Sequence, residues 1–330
     1  MTDQGVRDRH EFLRRLHERL QPRSYLEIGV RDGLSLTLSR APSIAIDPAF
    51  KITSEVHADL QLVRATSDDF FARPDPLAHL PGGRIDLAFI DGMHLAEFAL
   101  RDFINVERFT EWTSVVVLDD MLPRSVAEAA RDRHTLAWAG DVYKVATILQ
   151  RLRPELVCLP IDTAPTGVVL VLGVDKDDRT LPDKYDELLA ELTAADPQDV
   201  PEEVLTRVGS ADPAQVLDSP VWAALVQARS AGAAPDRQLF EQVRSLAGTG
   251  PVVPVLPPVE QPWPQRKRRQ QAGAKAGSGQ RRQGQQGART STTGKGAAAR
   301  RTSAGGSGAR RWRRRLRRAR RYLRGLTTRG

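Results

Sequence analysis

The sequence predicts an α/β fold in which a mainly parallel sheet carries helices on both faces. Short apolar runs alternate with segments of helical periodicity through the first half of the chain, a pattern that calls for parallel strands joined by right-handed crossovers. The first run, Tyr25-Leu26-Glu27-Ile28, breaks at Gly29, turns through Gly33 and is expected to enter a helix, which is how open sheets place a ligand at a strand's carboxyl end. Acids close four of the five parallel-type runs or the turns after them, at Glu27, Asp47, Asp91 and the pair Asp119-Asp120. Strand ends of this kind share one edge of the sheet, so the acids converge there.

Before the first strand, His10 to Leu20 sets Phe12, Leu13, Leu16 and Leu20 on one helical face, and Pro22 closes it. The second strand is Ser43 to Ile46, the third lies near Leu60 to Ala65, the fourth is Arg84 to Asp91 and the fifth Ser114 to Asp120. Helical patterns run from His94 to Phe109 and from Val142 to Leu152. Glu155 to Ile161 and Gly167 to Val174, parted by Asp162-Thr163-Ala164-Pro165-Thr166, read as a closing antiparallel pair. Beyond Asp175 come shorter helical pieces at 183–194, 201–208, 220–231 and 236–247.

These patterns divide the 330 residues into an α/β domain over 1–178, a helical appendage over 179–250, a proline-rich linker over 251–264 and a basic tail over 265–330. The net charge of +8 hides two opposite halves. No acid follows Glu260, and 22 of the 49 Lys and Arg lie beyond Gln265, leaving 27 basic against 41 acidic residues before it. The Gln/Gly/Ala/Arg-rich tail has too little apolar surface to fold by itself and is expected to be disordered. Within it, Arg310 to Leu326 sets Trp312, Leu316, Ala319, Leu323 and Leu326 at helical spacing among arginines. Such a stretch suits an anionic membrane surface or nucleic acid, either in a salt-dependent way. Cys158 is the single cysteine, which excludes an internal disulfide and a cysteine-based zinc site. With no apolar segment of signal-peptide or membrane-span length, a cytoplasmic protein is expected, held peripherally at a membrane if the tail binds one.

The glycine turn selects the kind of ligand. A dinucleotide fingerprint needs a second glycine two residues after the first, so that backbone can approach a pyrophosphate, and Arg31 stands there. A cofactor without phosphates has no such need, and Glu27-x-Gly29-x-x-x-Gly33 resembles the first motif of class I S-adenosylmethionine-dependent methyltransferases. Ala65-Thr66-Ser67-Asp68-Asp69-Phe70-Phe71, Phe89-Ile90-Asp91-Gly92-Met93-His94 and Val117-Leu118-Asp119-Asp120 follow in the right order. Together, over about Phe12 to Val174, these motifs resemble the family that includes the macrolide-sugar O-methyltransferases and, more distantly, the catechol O-methyltransferases. That resemblance implies a Rossmann-like seven-stranded methyltransferase sheet.

It also implies roles. Gly29 and Gly33 let backbone pass close to the cofactor, and Glu27 receives its ammonium directly or through water. Asp47 accepts both ribose hydroxyls, or else starts a helix. Ser67 and Asp68 lie where the adenine amino group would be, or Ser67 caps a helix. Asp91, besides facing the cofactor, would hold a divalent cation such as Mg²⁺ with Asp119 and Asp120, a hard ion with oxygen ligands. The alternative is that Lys or Arg partners relieve the acids' repulsion without a metal. His94 occupies the place of a catalytic base and would act as a neutral imidazole, or else is a structural residue at a helix start. In Trp138-Ala139-Gly140-Asp141-Val142-Tyr143-Lys144, Asp141 is expected to cap the following helix, while Lys144 either orients the substrate or is a solvated helix charge.

The function expected is O-methylation of a small-molecule or sugar hydroxyl. The alternative is a weakly catalytic or non-catalytic cofactor-binding domain docked through its basic tail. The sequence names neither the acceptor nor the oligomeric state.

Overall fold

The computed structural model describes residues 6–248 and Pro262. The linker expected over 251–264, Pro262 apart, and the basic tail over 265–330 with its helix at 310–326 lie outside the described residues. Within the described residues, helix α1 (Arg9–Leu20) precedes strand β1 (Tyr25–Ile28), β2 (Ser43–Ile46) and β3 (Leu60–Val63). Helix α2 (Ser67–Phe71), β4 (Ile85–Ile90), α3 (Ala96–Glu107) and β5 (Thr110–Asp119) follow. Helix α4 (Lys144–Leu152) leads into β6 (Val157–Ile161) and β7 (Val168–Leu172).

The seven strands form one sheet in the order β3-β2-β1-β4-β5-β7-β6. Neighbours from β3 to β5 are parallel, and β7 enters antiparallel between β5 and β6. The sheet therefore has the seven-stranded Rossmann-like arrangement that the resemblance implies, and the closing pair not only caps the edge but inserts its second strand beside β5. Strands β1, β2, β4 and β7 are buried along their whole length, as a parallel sheet covered on both faces requires. Alternation then sorts their side chains. Leu26, Ile28, Ala88, Ile90, Val116 and Leu118 point to a core shared with α2, α3 and α4, and Tyr25, Leu87, Phe89, Val115 and Val117 point to a core shared with α1.

Where the glycine turn was expected to open a helix, the chain makes only a short 3₁₀ turn at Ser35–Leu38. The reason is local: Gly29, Arg31 and Gly33 all take positive φ, so the backbone reverses before an α-helical turn can close. β5 starts at Thr110, earlier than the apolar run, because Thr110 pairs with Ile85 before a bulge restores the register.

The helices after β7 are α5 (Thr180–Leu192), α6 (Glu202–Thr206), α7 (Pro213–Leu217), α8 (Val221–Ala231) and α9 (Arg237–Arg244). Helix α7, which periodicity did not reveal, is capped by Asp212, whose carboxylate accepts from the Ala214 and Gln215 amides. The sequence reading expects a small helical appendage here. Instead Val216, Trp222, Leu225, Phe240 and Val243 fill the same core as α1 and the sheet, and α5 joins the opposite one. Residues 6–248 accordingly belong to one compact unit, and the pattern change at 178 is not a break in the core. Buried Arg207 joins this region to the loops at the sheet's carboxyl edge. Its Nη1 donates to Asp162 Oδ1 at 2.7 Å and Thr163 O at 3.1 Å, while its Nη2 donates to Leu122 O at 3.0 Å and to Pro165 O. Among the described residues no helix is long and apolar enough to cross a membrane.

Candidate active site

At the carboxyl end of β1, Gly29 has φ +91°, and a Cβ there would lie 1.8 Å from the Asp91 carbonyl oxygen. Only glycine lets the ends of β1 and β4 approach this closely. Gly33 has φ +82°, and a Cβ would meet the Ile52 side chain at 2.9 Å. Asp47, at the end of β2, starts no helix. Its Oδ2 accepts from the backbone amides of Val30 at 3.0 Å and Arg31 at 2.9 Å, and its Oδ1 accepts from Ala49. The carboxylate thus staples the glycine turn to the neighbouring strand. Glu27 is fully buried beneath that turn, with Oε2 accepting from the Tyr25 hydroxyl and Oε1 from the Ser35 hydroxyl, both at 2.7 Å.

Burial pushes the Glu27 carboxyl up to about 8, against the pull of the Ser35 and Tyr25 hydroxyls. Glu27 is then neutral in the folded protein at neutral pH and ionised in the unfolded chain. The folded state holds the extra proton between about pH 4.5 and 8, so stability is full below that window, declines as pH rises through it and levels off above it. Denaturant titrations at pH 5 and pH 8 are expected to show this decline shrink in Glu27→Gln, which is neutral throughout. A decline of unchanged size would assign it to other groups.

Beyond β4 and β5, Asp91, His94 and Asp120 converge, each offering a ligand-type atom within 4.8 Å of the others. His94 Nδ1 lies 2.9 Å from Trp138 O and 2.9 Å from Asp120 Oδ2, and Nε2 lies 3.1 Å from Asp91 Oδ1. A carbonyl can only accept, so Nδ1 carries a proton and Nε2 is the nitrogen able to exchange one. Burial works against charge on this ring, but Asp120 and then Asp91 outweigh it and raise its pKa well above the ordinary histidine value. The two carboxylates therefore favour the charged ring over the neutral imidazole expected from the sequence. The Trp138 ring stacks on His94 at 5.4 Å between centroids. His94 and Asp120 both adopt left-handed backbone, φ 55° and 61°, an uncommon state for residues with a Cβ that is often found at functional sites. The Thr166 hydroxyl donates to Asp120 Oδ1 and holds that carboxylate toward His94.

Asp119 departs from the expected set. Its buried Oδ2 accepts from Arg9 Nη1, at the start of α1, and the same guanidinium nitrogen lies 3.7 Å from Asp91 Oδ2. The trio Asp91, Asp119 and Asp120 thus does not meet as an oxygen-lined metal pocket. The groups that do meet are two carboxylates and the His94 ring, while the Asp119 carboxylate is taken by Arg9. A Mg²⁺ ion, which takes near-octahedral oxygen ligands, does not fit this donor set. The acids' repulsion is relieved instead by Arg9 and His94.

The remaining predicted residues lie around this centre. Ser67 does not cap α2; Thr66 does, and the Ser67 hydroxyl donates to Asp102 on α3. Burial holds the Asp102 carboxyl up at about 7 against that bond. Asp68 pairs with Arg101, so its carboxylate already has a partner. Asp141 does not cap α4. Its Oδ1 accepts from the Ala96 amide at 2.9 Å, at the start of α3, and its Oδ2 takes Arg131 Nη1 at 2.7 Å and Lys144 Nζ at 3.1 Å. Lys144 is thus no free surface charge, and Asp141 ties it to the segment that carries His94.

Arg9, Trp138 and Thr166 are site residues that the sequence reading assigned no role. Arg9 had no signal, because its partner lies 110 residues away. Trp138 had one: it opens the segment whose Gly140, at φ +67°, packs so closely on His94 that a Cβ would lie 1.7 Å from the His94 carbonyl oxygen.

Residues 26–121 match the family model described as a methyltransferase domain. No curated protein matches the chain. Among solved structures, the chain is similar to cofactor-bound Rv0187 from MTB at 20% identity, covering 53% of this chain and 82% of that one with a TM-score of 0.40. SAH-bound methyltransferase PaMTH1 of Podospora anserina shares 14% identity over 50% and 78% of the two chains, with a TM-score of 0.38. The O-methyltransferase TomG of Streptomyces achromogenes, involved in tomaymycin synthesis and solved with SAM, shares 19% over 50% and 79%, with a TM-score of 0.37.

Proposed function

We propose, from the match of residues 26–121 to a methyltransferase domain, that the protein uses S-adenosylmethionine and transfers its methyl group to a hydroxyl oxygen of a small molecule or sugar. The observation that carries the reading is the meeting, on one sheet edge, of the glycine turn stapled by Asp47 with the Asp91, His94 and Asp120 cluster. The turn is shaped to receive the cofactor's amino-acid and ribose portions, with Asp47 and Glu27 as the acids nearest to it. The cluster supplies what a hydroxyl needs and an amine does not, a place for the proton lost on attack.

In the step proposed, the acceptor oxygen forms a bond to the methyl carbon in line with the breaking carbon–sulfur bond. The sulfonium becomes a neutral thioether, so S-adenosylhomocysteine leaves. The hydroxyl proton passes to the Asp91, His94 and Asp120 cluster, which exchanges protons as one unit. His94 Nδ1 stays bound to Trp138 O throughout and fixes the ring plane. No step runs through a metal ion.

Calorimetric titration of the full chain with S-adenosylmethionine tests the reading. Stoichiometric binding is expected, weakened about tenfold or more in Asp47→Ala through loss of the ribose contact and the staple. A folded protein that binds neither S-adenosylmethionine nor S-adenosylhomocysteine would overturn it. Binding unchanged in Asp47→Ala would remove Asp47 from the cofactor site.

A further inference from the structure

Three carboxylates, Asp91, Asp119 and Asp120, crowd the ends of two adjacent strands, and two of them are almost wholly withdrawn from solvent. Such a group must be offset by positive charge, because buried like charges repel strongly and desolvation adds to the cost. The charge comes from the chain itself. Arg9 Nη1 donates to Asp119 Oδ2 and stands 3.7 Å from Asp91 Oδ2, between the carboxylates on which a divalent ion would have to rest.

The fold fixes Arg9 in that place by several independent contacts. Asp8 caps α1 by accepting from the His10 and Glu11 amides. The segment before the helix pairs along the β6–β7 loop, with the Ala164 amide donating to Arg7 O at 2.6 Å and the Arg9 amide to Ala164 O at 3.3 Å. Arg7 also meets Asp162 at 3.5 Å. Two residues further along that loop, Thr166 holds Asp120. One loop therefore positions both the cation and the third carboxylate. A guanidinium keeps its charge at every accessible pH and presents donors in a rigid fork.

We propose that Arg9 is the resident cation of this acid cluster, occupying the position a divalent metal would otherwise take, so that cofactor binding and methyl transfer by this chain are independent of divalent metal. Arg9 is a positioning residue in this assignment: it holds Asp119 and Asp91 and leaves the Asp91 and His94 pair free to exchange the acceptor's proton. The statement about methyl transfer rests on the function proposed above; the competition between Arg9 and a metal does not. Two orphaned atoms mark the same place. Arg9 Nε and Asp119 Oδ1 are buried and find no hydrogen-bond partner among the described residues.

The test is titration of the full chain with Mn²⁺, followed by its paramagnetic signal, beside calorimetry with S-adenosylmethionine in chelator and in Mg²⁺. Wild type is expected to show no Mn²⁺ site that depends on Asp91 or Asp119, and the same cofactor affinity in chelator as in Mg²⁺. Arg9→Gln is expected to uncover a Mn²⁺ site about tenfold or more tighter than any in wild type, and the added change Asp119→Asn to abolish it. Arg9→Lys, which keeps the charge, should remain without that site, a difference from Arg9→Gln that a merely structural role would not produce. A Mn²⁺ site in wild type lost in Asp91→Asn or Asp119→Asn overturns the proposal, and so does a folded Arg9→Gln with no new site. Should Arg9→Gln not fold, the wild-type titration decides alone. Absence of cofactor binding in every condition would overturn the methyltransferase reading instead, while the Mn²⁺ result would still judge Arg9.

Discussion

Gly29→Ala is expected to abolish binding of S-adenosylmethionine while the protein remains folded with reduced stability. Two costs combine at this residue. A left-handed backbone costs an L-residue about 1–2 kcal/mol, and the added methyl would lie 1.8 Å from the Asp91 carbonyl oxygen and 2.5 Å from its carbon. Neither atom can swing away, since both belong to the backbone at the end of β4, whose register with β1 is set by Ile28 pairing with Ile90. The turn must therefore lift from Asp91, and a displacement of about 1 Å at such a site is enough to cost roughly 100-fold in function. Gly82→Ala separates the two costs. Gly82 has φ +63°, but a Cβ there would meet nothing within 4 Å, so this variant carries the backbone cost without the clash. Calorimetry on both should find cofactor binding intact in Gly82→Ala and lost in Gly29→Ala. Normal affinity in Gly29→Ala would mean that the cofactor does not use this turn.

The second large effect is expected at His94. His94→Ala should lower turnover by about 10²- to 10⁴-fold, the usual contribution of a positioned acid or base, while the affinity for S-adenosylmethionine stays within a few-fold of wild type. The reasoning is geometric: Nδ1 is spent on Trp138 O and Asp120, so the catalytic part falls to Nε2 beside Asp91. Removal of the ring also strips Asp91 and Asp120 of a positive neighbour, and some loss of stability accompanies it. The readout that isolates chemistry is formation of S-adenosylhomocysteine with hydroxylated acceptors at saturating cofactor, together with a direct measure of cofactor affinity. A fall in cofactor affinity matching the fall in rate would make His94 a structural support of the binding pocket. An unchanged rate would remove it from the reaction altogether.

Much of the fold was legible because its signals are local. A strand buried on both faces has to be a short, nearly unbroken apolar run, and Ile85 to Ile90 and Ser114 to Leu118 are such runs. The glycine turn was legible for the same reason: Gly29 is where no side chain fits. The helices beyond 178 were seen in outline, but their short polar pieces concealed that Trp222 and Phe240 close the core of the first domain. Burial of that kind depends on partners distant in sequence. The candidate site divides in the same way. Asp47, Asp91 and Asp120 were expected together because strand ends share an edge and His94 was expected from the resemblance, whereas the Asp141 carboxylate turned out to serve the start of α3 rather than the helix that follows it.

What the sequence by itself determined is which residues stand at the carboxyl edge of the sheet, since strand ends, glycine turns and their order follow from patterns a few residues long. What only the tertiary structure decided is the charge state and the pairing of those residues. Arg9 pairs with Asp119 from 110 residues away in sequence, Trp138 O commits one nitrogen of His94, and burial keeps Glu27 neutral. Charge and proton position depend on the distance to every neighbouring group and on the exclusion of water, and packing sets both only once the chain has folded.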